Sequence, residues 1–177
     1  SATAGYGFFT AYDRFVAKLT AEDERRYYAE GAPVARLYGV QHPLTSNADF
    51  FAQMNRLLAR FEPHPINRDF LEIFANASRD TGAPKRLGKA VACAAVSILP
   101  PVVRERLELG ADYDLKPIAR MALKALGAMA ERIAPPNSPP VEASKRLGLP
   151  GDFLYRSRRA QAELLAKPEF QALQSRA

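Results

Sequence analysis

The sequence predicts an all-α fold, a compact bundle of about seven or eight helices. Three observations predict it. Apolar residues recur at helical spacing through nearly all of the 177 residues. The alternation of β-branched and polar residues that marks a strand is absent. Helix starts and stops follow one another at short intervals, with proline and glycine between them.

Phe8, Tyr12, Phe15 and Leu19 fall at i, i+4, i+7 and i+11, one face of a first helix. Thr20 with Asp23 three residues on resembles a capping box and marks a second start. That helix carries Tyr27, Val34 and Tyr38 on one stripe and ends at Gly39, with a break or kink expected at Gly31 and Pro33. Ser46 or Asn47 caps a third helix whose Phe50, Met54, Leu57, Leu58 and Phe61 face inward, and Pro63-His64-Pro65 stops it. Asn67 is the expected N-cap of a helix bearing Phe70, Leu71, Phe74 and Ala77, and Thr81 to Pro84 form a turn.

Lys85 to Leu99 is nearly apolar all round after Lys89, as befits the middle of a bundle. Pro100-Pro101 ends it and opens the next helix, which Gly110 is expected to stop. Asp114 precedes a further helix with Ile118, Ala122, Ala125 and Met129 on one side. Beyond it lie the prolines of 135–140, a short helix, Gly148 and Gly151, and a last arginine-rich helix. The organisation is therefore a helical core over 1–134, a proline-stiffened linker over 135–140 and a basic helical segment over 141–177.

Bulk properties exclude several classes. The longest apolar run, Ala90 to Val96 with Ile98 and Leu99 beyond, is about half of the roughly 20 residues that a membrane span requires. A single cysteine, Cys93, excludes an internal disulfide, and its apolar neighbours mark it as a buried thiol. Two histidines and one cysteine cannot build a structural zinc site. The net charge of +6 is uneven: residues 1–80 carry 9 Lys/Arg and 10 Asp/Glu, residues 81–177 the other 16 and 9. This suits an anionic ligand, an acidic membrane surface or a protein partner. No nucleic-acid signature accompanies it, and there is no P-loop, nucleophile elbow or dinucleotide fingerprint.

The candidate residues mostly have structural readings. His42 and His64 sit beside prolines in expected loops, with no carboxylate placed to orient either ring. Glu22, Asp23 and Glu24 complement a helix dipole. Gly88, Ala92 and Ala95 form a small-residue strip that admits a close neighbour. Tyr6, Phe8, Phe9, Tyr12 and Phe15 make either a thick core or the wall of an apolar pocket. Lys145, Arg146, Arg156, Arg158 and Arg159 form a basic cluster that is either a solvated face or a dock for an acidic surface.

Two segments, read together, resemble a known family. The first contains Phe9-Thr10-Ala11-Tyr12-Asp13-Arg14-Phe15, then Leu19-Thr20, Arg26-Tyr27-Tyr28-Ala29-Glu30 and Ala35-Arg36-Leu37-Tyr38-Gly39-Val40. The second is Leu99-Pro100-Pro101-Val102-Val103-Arg104 followed by Leu107. Their order and spacing resemble the C-terminal half of the MpaB-like oxygenases, whose relatives include the latex-clearing proteins or rubber oxygenases, over roughly residues 2–110.

That resemblance implies a globin-like all-α domain binding haem b, and oxidation of an apolar, isoprenoid-type substrate with dioxygen. The protein would supply an axial ligand, orientation and an apolar pocket. The family places an iron-ligating histidine at a His-Ala-Thr-like step just before the first aromatic helix. Ala2-Thr3 match the end of that step, and Ser1 stands where the histidine would be. The resemblance thus makes this chain the C-terminal portion of an oxygenase whose axial histidine lies elsewhere. It puts Thr3, Tyr6 and Phe9 nearest the cofactor, and Arg104 either against a haem propionate or in a helix-surface or buried ion pair. No catalytic residue is assigned, and no metal ligand. The expected partners are the apolar substrate, dioxygen, a membrane surface or an N-terminal portion of the same protein, but not nucleic acid. The expected compartment is the cytoplasm. The alternative is a non-enzymatic helical module that binds a lipid or a protein through an apolar cleft and its basic tail.

Overall fold

The computed structural model describes residues 2–76 and 84–170. Among these the chain forms nine α-helices and three short 3-10 turns, and no strand. The helices are α1 (Ala2–Phe15), α2 (Ala21–Leu37), α3 (Asn47–Leu57), α4 (Pro65–Asn76), α5 (Lys85–Ser97), α6 (Pro101–Arg106), α7 (Pro117–Ala130), α8 (Pro139–Arg146) and α9 (Arg158–Leu165). The all-α class follows from the 3.6-residue spacing, as expected. The expected Ala77 position and the turn from Thr81 to Ala83 lie outside the described residues.

Local chemistry sets most boundaries. Thr20 and Asp23 close a full capping box at the start of α2, the Asp23 amide donating to Thr20 Oγ1 and the Thr20 amide to the Asp23 carboxylate. Ser46, rather than Asn47, caps α3 by accepting from the Asp49 amide. Pro101 opens α6 at the first helical position, where its missing N–H is harmless. Gly39, at φ +77°, ends α2 in a Schellman turn: its amide donates to Arg36 O and the Val40 amide to Ala35 O. Gly148, at φ +72°, ends α8 in the same way.

Three expectations are corrected. α2 runs without a break through Gly31 and Pro33, although proline forfeits one helical hydrogen bond and crowds the preceding turn. α4 begins at Pro65, not after Asn67: the Ile66 amide donates to Nδ1 of His64, which serves as the cap. α6 is ended by Glu108, not Gly110. Glu108 takes the left-handed φ of +54° while the Leu109 amide returns to Arg104 O. The helix expected after Asp114 is present as α7 from Pro117, and Asp114 itself accepts from Arg104.

The chain divides into two units, Ser1–Ala125 and Leu126–Ala177, the division falling inside α7. In the first, Tyr6, Phe50, Met54 and Val103 form a buried cluster ringed by Ala2, Leu44, Leu57, Phe61 and Leu107. Phe50 stacks on Tyr6 at 4.0 Å between ring centroids. α4 packs along α5, in which Ala92, Cys93, Ala94 and Val96 are buried and Ala95 is not. Two of the carbonyls at the end of α5 are claimed by α1: Tyr6 Oη donates to Ile98 O at 2.9 Å and Arg14 to Ser97 O at 2.6 Å. In the second unit, Val141, Ser144, Phe153 and Leu164 are buried. Pro139 and Pro140 belong to the first turn of α8.

The buried faces differ from the expected stripes. α1 buries Tyr6, Phe9 and Thr10 and leaves Phe8 73% exposed. α2 buries Tyr28, while Tyr27, Val34 and Tyr38 stay exposed. Phe70 and Phe74 on α4, and Ile118, Ala122, Ala125 and Met129 on α7, are exposed too. α1 and α2 each offer two apolar stripes of which only one is covered, and α4 and α7 bury no residue.

Candidate functional site

The first unit contains an open groove of about 1170 Å³ between α1, α2 and the loop before α3. Pockets for small molecules commonly span about 300–1000 Å³, so there is room for a cofactor-sized ligand. Ala2, Gly5 and Phe8 supply one wall from α1. Tyr27, Tyr28, Gly31, Val34 and Tyr38 supply another from α2. His42, Pro43 and Leu44 close one end, beside Gln53 of α3. The apolar side chains left uncovered on α1 and α2 are therefore the lining of one cleft.

Two glycines shape it. A methyl group added at Gly5 or Gly31 would meet nothing within 4 Å. Neither has a positive φ. A helix-interior glycine costs roughly 0.8–1 kcal/mol relative to alanine, and no close neighbour or turn requires one here. What they provide is open space along the groove.

The walls are braced by hydrogen bonds from the aromatic residues. Tyr27 Oη donates to Gly5 O at 3.0 Å, joining α2 to α1. Tyr28 Oη donates to Asn47 Oδ1 at 2.8 Å, and Glu24 accepts from the Asn47 amide at 2.8 Å, joining α2 to α3. Phe9 packs against both Tyr27 and Tyr28 from below. Burial first, and then the nearby Glu24 charge, push the Tyr28 phenol up to about 12. A phenol raised from 10.0 favours the folded protein below pH 10, and that stabilisation is lost as the pH climbs through about 12. Tyr28→Phe is therefore expected to flatten the fall in stability between pH 10 and 12, read from thermal midpoints across that range. An unchanged slope would refute the assignment.

The four residues expected at a cofactor are not brought together in this groove. Thr3 is exposed and outside the lining. Tyr6 and Phe9 are buried behind it, Tyr6 in the core and Phe9 under the α2 aromatics. Arg104 donates to Leu109 O, Gly110 O and Asp114, which locks the turn after α6. The lining residues of α1 are instead Ala2, Ala4, Gly5 and Phe8. Gly31, Tyr38 and His42 also line the groove. The signal for Gly31 was a glycine within a helical pattern, read as a break.

Other candidates resolve into structural roles. His64 caps α4. In the basic cluster, Lys145 pairs with Glu142, Arg156 with Asp152 and Arg159 with Glu163. Among the described residues no group of three His, Cys, Asp or Glu is placed to hold a metal ion, and no helix is long and apolar enough to cross a membrane.

No curated protein and no solved structure matches the chain. A family model does, over residues 1–132, which include α1 to α7 and every residue of the groove. Its description is "ER-bound oxygenase mpaB/B'/Rubber oxygenase, catalytic domain". The chain belongs to this family of oxygenase catalytic domains, as the succession of its aromatic and Pro-Pro segments led one to expect.

Proposed function

We propose that the chain is the C-terminal part of a haem b-dependent oxygenase that acts on an apolar substrate of the isoprenoid type with dioxygen. The observation that carries this reading is the apolar groove with open space above Gly5 and Gly31, in a chain of an oxygenase family. The lining fits the flat apolar body of a porphyrin: Phe8, Tyr27 and Tyr38 would hold its faces and edges. It offers one imidazole, His42, and no lysine or arginine for the propionates. Haem, when bound, would supply the redox chemistry.

This chain's own residues do the rest. Phe8, Val34 and Leu44 offer apolar contact surface that an apolar substrate would cover on binding. Tyr27 and Tyr28 fix the separation of α1, α2 and α3, and so the width of the cleft.

The test is a haemin titration of the purified chain, followed at the Soret band and repeated with Gly31→Leu. The leucine fills the groove from a position where its Cβ meets nothing. Haemin affinity is expected to fall at least about tenfold, while the thermal midpoint holds or rises, because leucine is the better helix former by roughly 0.8 kcal/mol. A wild-type chain that leaves the haemin spectrum unchanged, or a variant that binds haemin as well as wild type, would overturn the reading.

A further inference from the structure

We infer that a small polar pocket at one end of the groove holds the acid head of an amphiphilic ligand, an apolar chain ending in a carboxylate, with Arg56 as its counter-ion. The inference rests on the groove being a ligand site and deepens that reading by naming the chemical class of the substrate. The pocket has a volume of about 310 Å³. His42, Pro43, Leu44 and Gln53 line both it and the groove, so the two spaces meet at that end. Asp49 and Arg56 belong to the small pocket alone. The acid head thus sits against α3, and the tail lies in the groove between α1 and α2.

The lining changes character where the two meet. The groove offers Phe8, Val34 and Leu44, and the pocket an imidazole, an amide and a guanidinium. Among the described residues, the side chains of His42, Gln53 and Arg56 have no hydrogen-bond or ion-pair partner. Gln53 and Arg56, at i and i+3, are neighbours on one face of α3. A guanidinium donates two parallel hydrogen bonds to a carboxylate, and an adjacent amide can donate a third. Asp49 limits the charge that the pocket accepts. Its carboxylate is held by the Thr45 amide at 2.9 Å and the Thr45 hydroxyl at 2.6 Å. It stands seven residues before Arg56, about 10 Å along the helix axis. One cation with one acid in the same pocket suits a single negative charge. A phosphate, with close to two, would be left under-compensated.

The experiment is a calorimetric titration of the whole chain with decanoate and with decan-1-ol, which has the same chain and no charge. Decanoate is expected to bind at least about tenfold tighter than the alcohol, and its binding alone should weaken as salt is raised. Arg56→Gln is expected to lower the decanoate affinity about tenfold and leave the alcohol unmoved, with part of the loss restored in Arg56→Lys. Arg56 is exposed, so the thermal midpoint should match wild type in both variants. Gly31→Leu is expected to weaken both ligands, because it fills the groove and not the pocket. The inference is overturned by a wild-type chain that binds neither ligand or binds both equally, and by an Arg56→Gln variant that binds decanoate like wild type. It is overturned too if Arg56→Gln weakens haemin and not decanoate, which gives the pocket to a porphyrin propionate. Any of these results beside a haemin titration that behaves as expected would strike the acid subsite and leave the haem reading standing.

Discussion

Phe50→Ala is expected to cost about 3–5 kcal/mol of folding stability. Phe50 is only 3% exposed and stands at the centre of the first unit's core. Its ring lies nearly parallel to that of Tyr6, 7° from coplanar, and Phe51 meets Tyr6 edge-on at 5.5 Å. Removing the ring leaves Tyr6 without its stacking partner and opens a cavity against Met54 and Val103. Tyr6 cannot swing into the space without breaking its hydrogen bond to Ile98 O, so the cavity stays largely empty. A urea titration reads the effect as a lower midpoint at an unchanged slope. A loss below about 1 kcal/mol would show that the surrounding helices collapse onto the site.

Phe153→Ala is the counterpart in the second unit, again with an expected cost of about 3–5 kcal/mol. Phe153 is buried with Val141, Ser144 and Leu164. Gly151 marks how closely the chain passes α8 there: a methyl group at that position would sit 3.1 Å from Val141 Cγ1. So few buried side chains cannot absorb the loss of the largest. Domains as a whole have only about 5–15 kcal/mol to lose. The variant should therefore open α8 and α9 locally, measured as a collapse of amide hydrogen-exchange protection over residues 141–165. Unchanged protection there would show that other contacts hold these helices.

Much of the secondary structure was legible because its causes are local. The Thr20–Asp23 box, the Ser46 cap, Pro101 at the start of α6 and Gly39 at the end of α2 each act within about four residues, and each sits where the sequence puts it. The boundaries that went wrong depend on an unusual turn or an unusual cap. α6 is closed by Glu108 in a left-handed conformation that residues other than glycine rarely adopt. His64 caps α4 with a ring nitrogen, which is not among the side chains that ordinarily announce a helix start.

The groove was only half legible. The aromatic density of α1 pointed to a pocket wall, and the family resemblance pointed to an oxygenase. Of the residues expected near a cofactor, Thr3, Tyr6 and Phe9 are next in sequence to groove-lining residues, and Arg104 is on another helix. On a helix as apolar as α1, Tyr6 and Phe9 are as good a core stripe as Phe8 and Tyr12, and 100° of rotation separates the two choices.

By itself, then, the sequence determined the all-α class, most helix starts and stops, and the family, since these follow from residue type and short spacing. Only the tertiary structure decided which stripe of each helix is covered. That choice put Phe8, Gly31 and His42 on a common cleft and left Ile118 and Met121 bare on α7. The physical reason is that hydrophobic burial has no direction of its own. It rewards covering any apolar stripe, and only the positions of neighbouring helices select one.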